Sequence, residues 1–159
     1  MDHDSPRALT SVLLRDQVDE IDRQCARLIL SLKQLVNSVA PELLYHRPPH
    51  VSLGENVLRS AAALEQTFGG LTANLWDDPF EWTLPESLST AELVTEYLSE
   101  VDAARQAAFK SIASDRDLTK LISGPSGEPQ QLFALLIETL VKASDYHGRA
   151  VATLKMLFT

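Results

Sequence analysis

The sequence predicts an all-α protein, a four-helix bundle with long loops after its second and third helices. Three observations predict it. Four stretches carry apolar residues at alternating spacings of four and three, the period of one helix face. Two of them open on a capping-box pattern, Ser52-Leu-Gly-Glu55 and Ser89-Thr-Ala-Glu92. Aromatic content is only 6% while Leu, Ala and Glu are plentiful, which favours helix over sheet.

The first helix is expected from about Pro6 to Ala40. Its inward stripe is Leu14, Val18, Ile21, Cys25, Leu28, Leu32, Leu35 and Val39, opposite a face of Arg15, Asp16, Asp19, Asp22 and Arg23. Pro41 marks the end of the pattern. Pro48 and Pro49 forbid a continuous helix in the next segment. Ser52 then caps the second helix, with the Glu55 carboxylate expected to reach back to the Ser52 amide. Its stripe is Leu53, Val57, Ser60, Leu64, Phe68, Leu71 and Leu75, and it stops near Trp76. Gly69-Gly70 inside it costs up to about 2 kcal/mol against Ala-Ala, so bending or fraying is expected there.

Residues 77–88, with Pro79, Pro85 and Trp82, read as an irregular crossover packed on the helices. Trp76 and Trp82 together read as a lid on one end. The third helix opens at Ser89 and shows Val94, Tyr97, Val101, Ala104, Ala108 and Ile112, ending near Ser114. Residues 115–127 form the second long loop, closing on Gly124-Pro-Ser-Gly127. Pro129 fits the first turn of a fourth helix running from about Glu128 to Phe158. The inward stripe of that helix reads Phe133, Ile137, Leu140, Ser144, His147, Val151, Leu154 and Phe158, so His147 is expected to point inward.

One domain, residues 1–159, suits this length, with residues 1–6 as a flexible tail. A net charge of −8 repels phosphate backbones and excludes nucleic acid as a partner. A single cysteine, Cys25, excludes an internal disulfide and reads as a small buried hydrophobe. No apolar run approaches the ~20 residues of a membrane span, so no membrane partner is expected and the protein reads as cytoplasmic.

Two stretches carry a resemblance. Leu44-Tyr-His-Arg-Pro-Pro-His-Val-Ser-Leu-Gly-Glu55 resembles the Arg-Pro loop and capped second helix of the DinB-like (DNA-damage-inducible) four-helix-bundle family. Asp145-Tyr-His147-Gly-Arg-Ala-Val-Ala-Thr-Leu-Lys-Met-Leu157 is similar to that family's last helix. The resemblance implies a bundle of bacterial type covering essentially the whole chain. It also implies a three-histidine site for a divalent metal, with two ligands four residues apart on the last helix.

Carried over by position, one ligand falls on His147. Its partner falls on Ala143, and the helix-two ligand on Arg59 or Ser60. Ala143, Arg59 and Ser60 are not metal ligands of the usual kind, so no cofactor is expected. The alternative is a site for zinc or nickel rebuilt from His50, His147 and a carboxylate. His46 and His50 are four apart, but the prolines between them deny helical spacing. His3, in the tail, is given no role.

His147 otherwise reads as a buried imidazole hydrogen-bonded to Ser144. Ser144 and His147 on one helix leave nothing to form an oxyanion hole, and no phosphate-binding loop exists. Arg59 reads as a surface residue. The resulting expectation is a small-ligand-binding or scaffold protein, acting as a homodimer. The alternatives are a metal- or thiol-cofactor-dependent transferase or hydrolase, as the resemblance implies for some relatives, and a protein–protein interaction module.

Overall fold

A computed structural model describes residues 14–47 and 51–158, the side chain of Phe80 excepted. It is mostly helical, about 70%, with four long helices and one small two-stranded sheet, which makes the protein all-α. The helices are α1 (Asp16–Asn37), α2 (Leu53–Ala73), α3 (Ala91–Lys110) and α4 (Leu132–Leu157). The expected tail and the expected start of the first helix at Pro6 lie outside the described residues.

Helix α1 begins at Asp16, so Leu14 stands outside it and is exposed. Its first amides are capped by a residue distant in sequence, just past the end of α3. The Asp115 carboxylate accepts from Gln17 N (3.1 Å) and Val18 N (3.0 Å). Arg15 reciprocates, donating to the carbonyls of Phe109 (3.2 Å) and Ile112 where α3 ends. A carboxylate at a helix N-terminus and a cation at a C-terminus both oppose the helix dipole. Further along, Arg105 of α3 binds Asp22 of α1 as well as Asp102 on its own helix. These pairings make α1 and α3 antiparallel.

Helix α2 is buried nearly all round. Of the predicted stripe, Leu53, Val57, Ser60, Leu64 and Phe68 are all 0% exposed, Leu71 is half-buried, and Leu75 lies beyond the helix end and is exposed. Ser52 caps it as expected, accepting from Glu55 N at 3.1 Å. The Glu55 carboxylate does not return to the Ser52 amide. It is held instead by Arg47 (Nη2 2.7 Å, Nε 3.0 Å), since a guanidinium offers a charged partner that an amide cannot match. The helix runs unbroken through Gly69 and Gly70 to Ala73. A Cβ on Gly70 would lie 2.1 Å from the Trp76 ring, so the missing side chain is what seats the indole. Asn74, left-handed at φ 55°, closes the helix.

The crossover of residues 74–90 returns along the helices. It leaves from Trp76, beside the last turns of α2, and arrives at Leu88, whose carbonyl accepts from Tyr45 Oη. The Tyr45 ring lies against Gly54 in the first turn of α2. Helix α3 therefore starts beside the start of α2 and runs with it. Thr90, not Ser89, caps α3, accepting from Leu93 N at 3.2 Å. Trp76 packs on α2, but Trp82 is 62% exposed, so the two do not form one lid.

Pro129 is not in a helix. Residues Leu121–Ser123 (β1) and Pro129–Gln131 (β2) pair antiparallel, Leu121 opposite Gln131, and α4 begins at Leu132. The strands are three residues long, too short for alternation to register.

The largest correction concerns α4. Its buried residues are Leu132, Leu135, Leu136, Thr139, Ala143, Ala150 and Thr153. The helix is turned so that small side chains meet α2, and the predicted stripe lies on a flank. Phe133, Ile137 and Phe158 are exposed, and Leu140, Val151 and Leu154 are half-buried. Small residues on both helices let the backbones approach closely, which gains dispersion contacts that bulky residues would prevent.

Candidate functional site

The seam between α2 and α4 brings together the positions singled out in the sequence. Thr67 and Thr139 share a hydrogen bond of 2.6 Å, and Thr139 also donates to the Leu135 carbonyl at 2.8 Å. Two α2 turns earlier, the Ser60 hydroxyl donates to the Ala143 carbonyl at 2.7 Å. These pairs set α2 and α4 antiparallel. Ser60 and Ala143 face each other, while Arg59 sits beside them, half-buried. Both seam residues are 0% exposed.

Neither Ser60 nor Ala143 offers the seam a metal-ligating side chain. Ser60 spends its proton on a backbone carbonyl, and Ala143 presents a methyl group. Among the described residues no three His, Cys, Asp or Glu side chains come together as metal ligands would. The donor set therefore does not fit the three-histidine centre that the resemblance implies. His50 lies outside the described residues, and so does the rebuilt site that would use it. His46 is exposed in the segment before Arg47.

His147 stands one turn beyond Ala143, on the flank of α4 and half-buried. Its expected hydrogen bond to Ser144 is not made. The turn of α4 exposes Ser144, which lines a groove between α1 and α4 with Gln24, Arg27, Leu28, Ser31, Leu140 and Val141. Burial without a compensating charge pushes the His147 imidazole below the usual histidine range, so it is neutral at pH 7.

Three further ionisable groups, wholly or partly buried, lie away from the seam. Burial, with Asp22 adding and Arg105 opposing, pushes the Cys25 thiol up to about 12, so it stays protonated and is no nucleophile. Tyr97 of α3 donates its hydroxyl proton to Glu65 of α2. Burial raises the Glu65 carboxyl above the usual range, against the Tyr97 hydrogen bond and helped by Glu100.

A pocket of 290 Å³ opens where the first turn of α2 meets the last turns of α4. Val51, Asn56, Arg149, Ala152, Thr153 and Met156 line it. Sequence reasoning missed Asn56 and Arg149. The available signal was a carboxamide inside an apolar helix, where Asn is poorly suited. No helix among the described residues is long and apolar enough to cross a membrane. Neither a family model nor a curated protein matches this chain.

Proposed function

We propose that the four helices form a DinB-like four-helix bundle whose metal centre has been replaced by a closed helix–helix seam. On this reading the protein is a non-metal binding protein for small molecules, not a metal-dependent enzyme. The Ser60–Ala143 hydrogen bond carries it: Ala143, where the resemblance places one ligand, is in direct contact with Ser60, one of the two positions (Arg59 or Ser60) that it offers for another. The Arg47 loop tied to the Ser52-capped start of α2, and the antiparallel α2–α4 pairing, support the bundle assignment.

A cytoplasmic homodimer belongs to the same reading. Phe133, Ile137 and Val141 recur every four residues along α4 and are 37–65% exposed, an apolar row that a second copy would cover. Light scattering at micromolar concentration should give twice the chain mass, and a monomer mass would remove this part of the proposal.

Thermal denaturation with and without added metal tests the main claim. A ligand that binds only the folded state raises stability by RT ln(1 + [L]/Kd), about 2.7 kcal/mol at a hundredfold excess over Kd. Zinc or nickel at 100 µM should leave the midpoint unchanged. A rise of several degrees with either ion would refute the closed seam.

A further inference from the structure

The pocket between the N-terminal turn of α2 and the C-terminal turns of α4 has the parts of a small-molecule site. Asn56, in its wall, is 4% exposed. Its backbone amide is used by the helix, donating to the Ser52 carbonyl at 3.2 Å. Its side-chain carboxamide makes no hydrogen bond with any described residue and borders the pocket. Thr95 Oγ1 is the one fully buried side-chain polar atom without a partner among the described residues, so the carboxamide's donor and acceptor are not sealed off. They stay open to a molecule that enters the pocket, which can pair with both.

The remaining walls specify the rest of the molecule. Val51, Ala152 and Met156 supply apolar surface. Arg149 supplies the cation at the rim. Its Nη2 binds Asp145 at 2.9 Å and its guanidinium lies over the Tyr146 ring, 5.2 Å from the centroid. Those contacts fix the plane of a group that has five N–H donors in all and spends one of them on Asp145. The other wall polar group, the Thr153 hydroxyl, already donates to the Arg149 carbonyl at 2.9 Å.

We propose that this pocket binds a small organic monocarboxylate with a compact apolar body and a hydroxyl or amide at its far end. The carboxylate pairs with Arg149, whose fork matches its two oxygens. The apolar body lies against Val51, Ala152 and Met156. The far polar group gives the Asn56 carboxamide the partner it lacks. One arginine in a chain of net charge −8 suits a single negative charge, not a polyanion. The volume lies near the lower end of the range for small-molecule sites. This inference rests on the small-ligand reading above and names the site and ligand class for it.

Titration of ¹⁵N-labelled protein with 4-hydroxybenzoate, and with the neutral 4-hydroxybenzyl alcohol, tests it. 4-Hydroxybenzoate should give saturable shifts at the Asn56 carboxamide and at residues 149–156. The alcohol should bind about tenfold more weakly, and Arg149→Gln should weaken the acid by a similar factor. Ala152→Leu, which fills the pocket and leaves both polar groups in place, should abolish the shifts. Asn56→Ala should lose the preference for 4-hydroxybenzoate over benzoate. Shifts confined to the α1–α4 groove would overturn this site while leaving the small-ligand reading standing. No saturable shift with either probe at millimolar concentration would overturn the carboxylate proposal, and unchanged binding in Arg149→Gln would do the same. Saturable binding of the neutral alcohol alone would again spare the broader reading.

Discussion

The Ser60 hydroxyl donates a 2.7 Å hydrogen bond to the Ala143 carbonyl, 83 positions further along the chain. That bond lies between two fully buried small residues, and it sets how close α2 and α4 come. A side chain much larger than a methyl group at position 143 has nowhere to go. Ala143→His should therefore lose about 1–3 kcal/mol by overpacking, read as a lower urea midpoint at unchanged slope. Ser60→Ala should lose about 1 kcal/mol, the usual net worth of such a bond. Wild-type stability in Ala143→His would mean that the seam has room for an imidazole.

Asp115 should behave as an N-cap for α1 despite its distance in sequence. Removing a capping side chain costs about 0.5–2 kcal/mol. Asp115→Ala should accordingly lower the thermal midpoint by about 2–8 °C at this chain length, and Asp115→Asn by less. Calorimetry that finds no change would make the carboxylate–amide contacts at Gln17 and Val18 energetically idle.

At Gly70 two effects oppose each other. Alanine gains about 1 kcal/mol of helix propensity over glycine. Its Cβ would also lie 2.1 Å from the Trp76 ring, an overlap that costs about 1–3 kcal/mol unless the indole leaves. The clash should win. In a Trp82→Phe background, Gly70→Ala should shift Trp76 emission to the red as the ring enters water. Unchanged emission would show that the ring does not depend on the glycine.

Glu65 should make the protein less stable as pH rises. Its folded-state pKa lies above the unfolded value, chiefly through burial. Such a group contributes stability that is complete below the unfolded pKa near 4.5 and is lost as pH rises through the folded one. Glu65→Gln keeps an acceptor for Tyr97 and removes the charge. Its stability should therefore fall less than that of the wild type between pH 4.5 and pH 7. Parallel stability curves for the two proteins would show that Glu65 is not perturbed.

Much of this was legible along the chain. The apolar stripe of α3 and that of α2 as far as Phe68 point inward as read, and Ser52 caps α2 because its hydroxyl sits three residues before Glu55. The rotation of α4 was not legible. Leu132, Phe133, Leu135, Leu136, Ile137, Leu140 and Val141 spread around the helix, so periodicity alone allows several inward faces. The face actually used depends on Ala143 and Ala150 fitting against α2, which is a property of two helices together. That rotation is what moves His147 to the flank and leaves Ser144 exposed. The Asp115 cap and the Glu55–Arg47 pair were hidden for a similar reason, since each depends on tertiary approach that no local pattern encodes. The three-residue strands at 121–123 and 129–131 were too short to carry one.

The central claim is that a closed seam stands where a metal centre would be. Elemental analysis of protein purified without chelators tests it most directly. The prediction is no stoichiometric zinc, nickel or iron, with His147→Leu folding normally and showing the same metal content. About one metal ion per chain in the wild type, lost in His147→Leu, would contradict it and would mean that His147 belongs to a metal site rebuilt from other ligands.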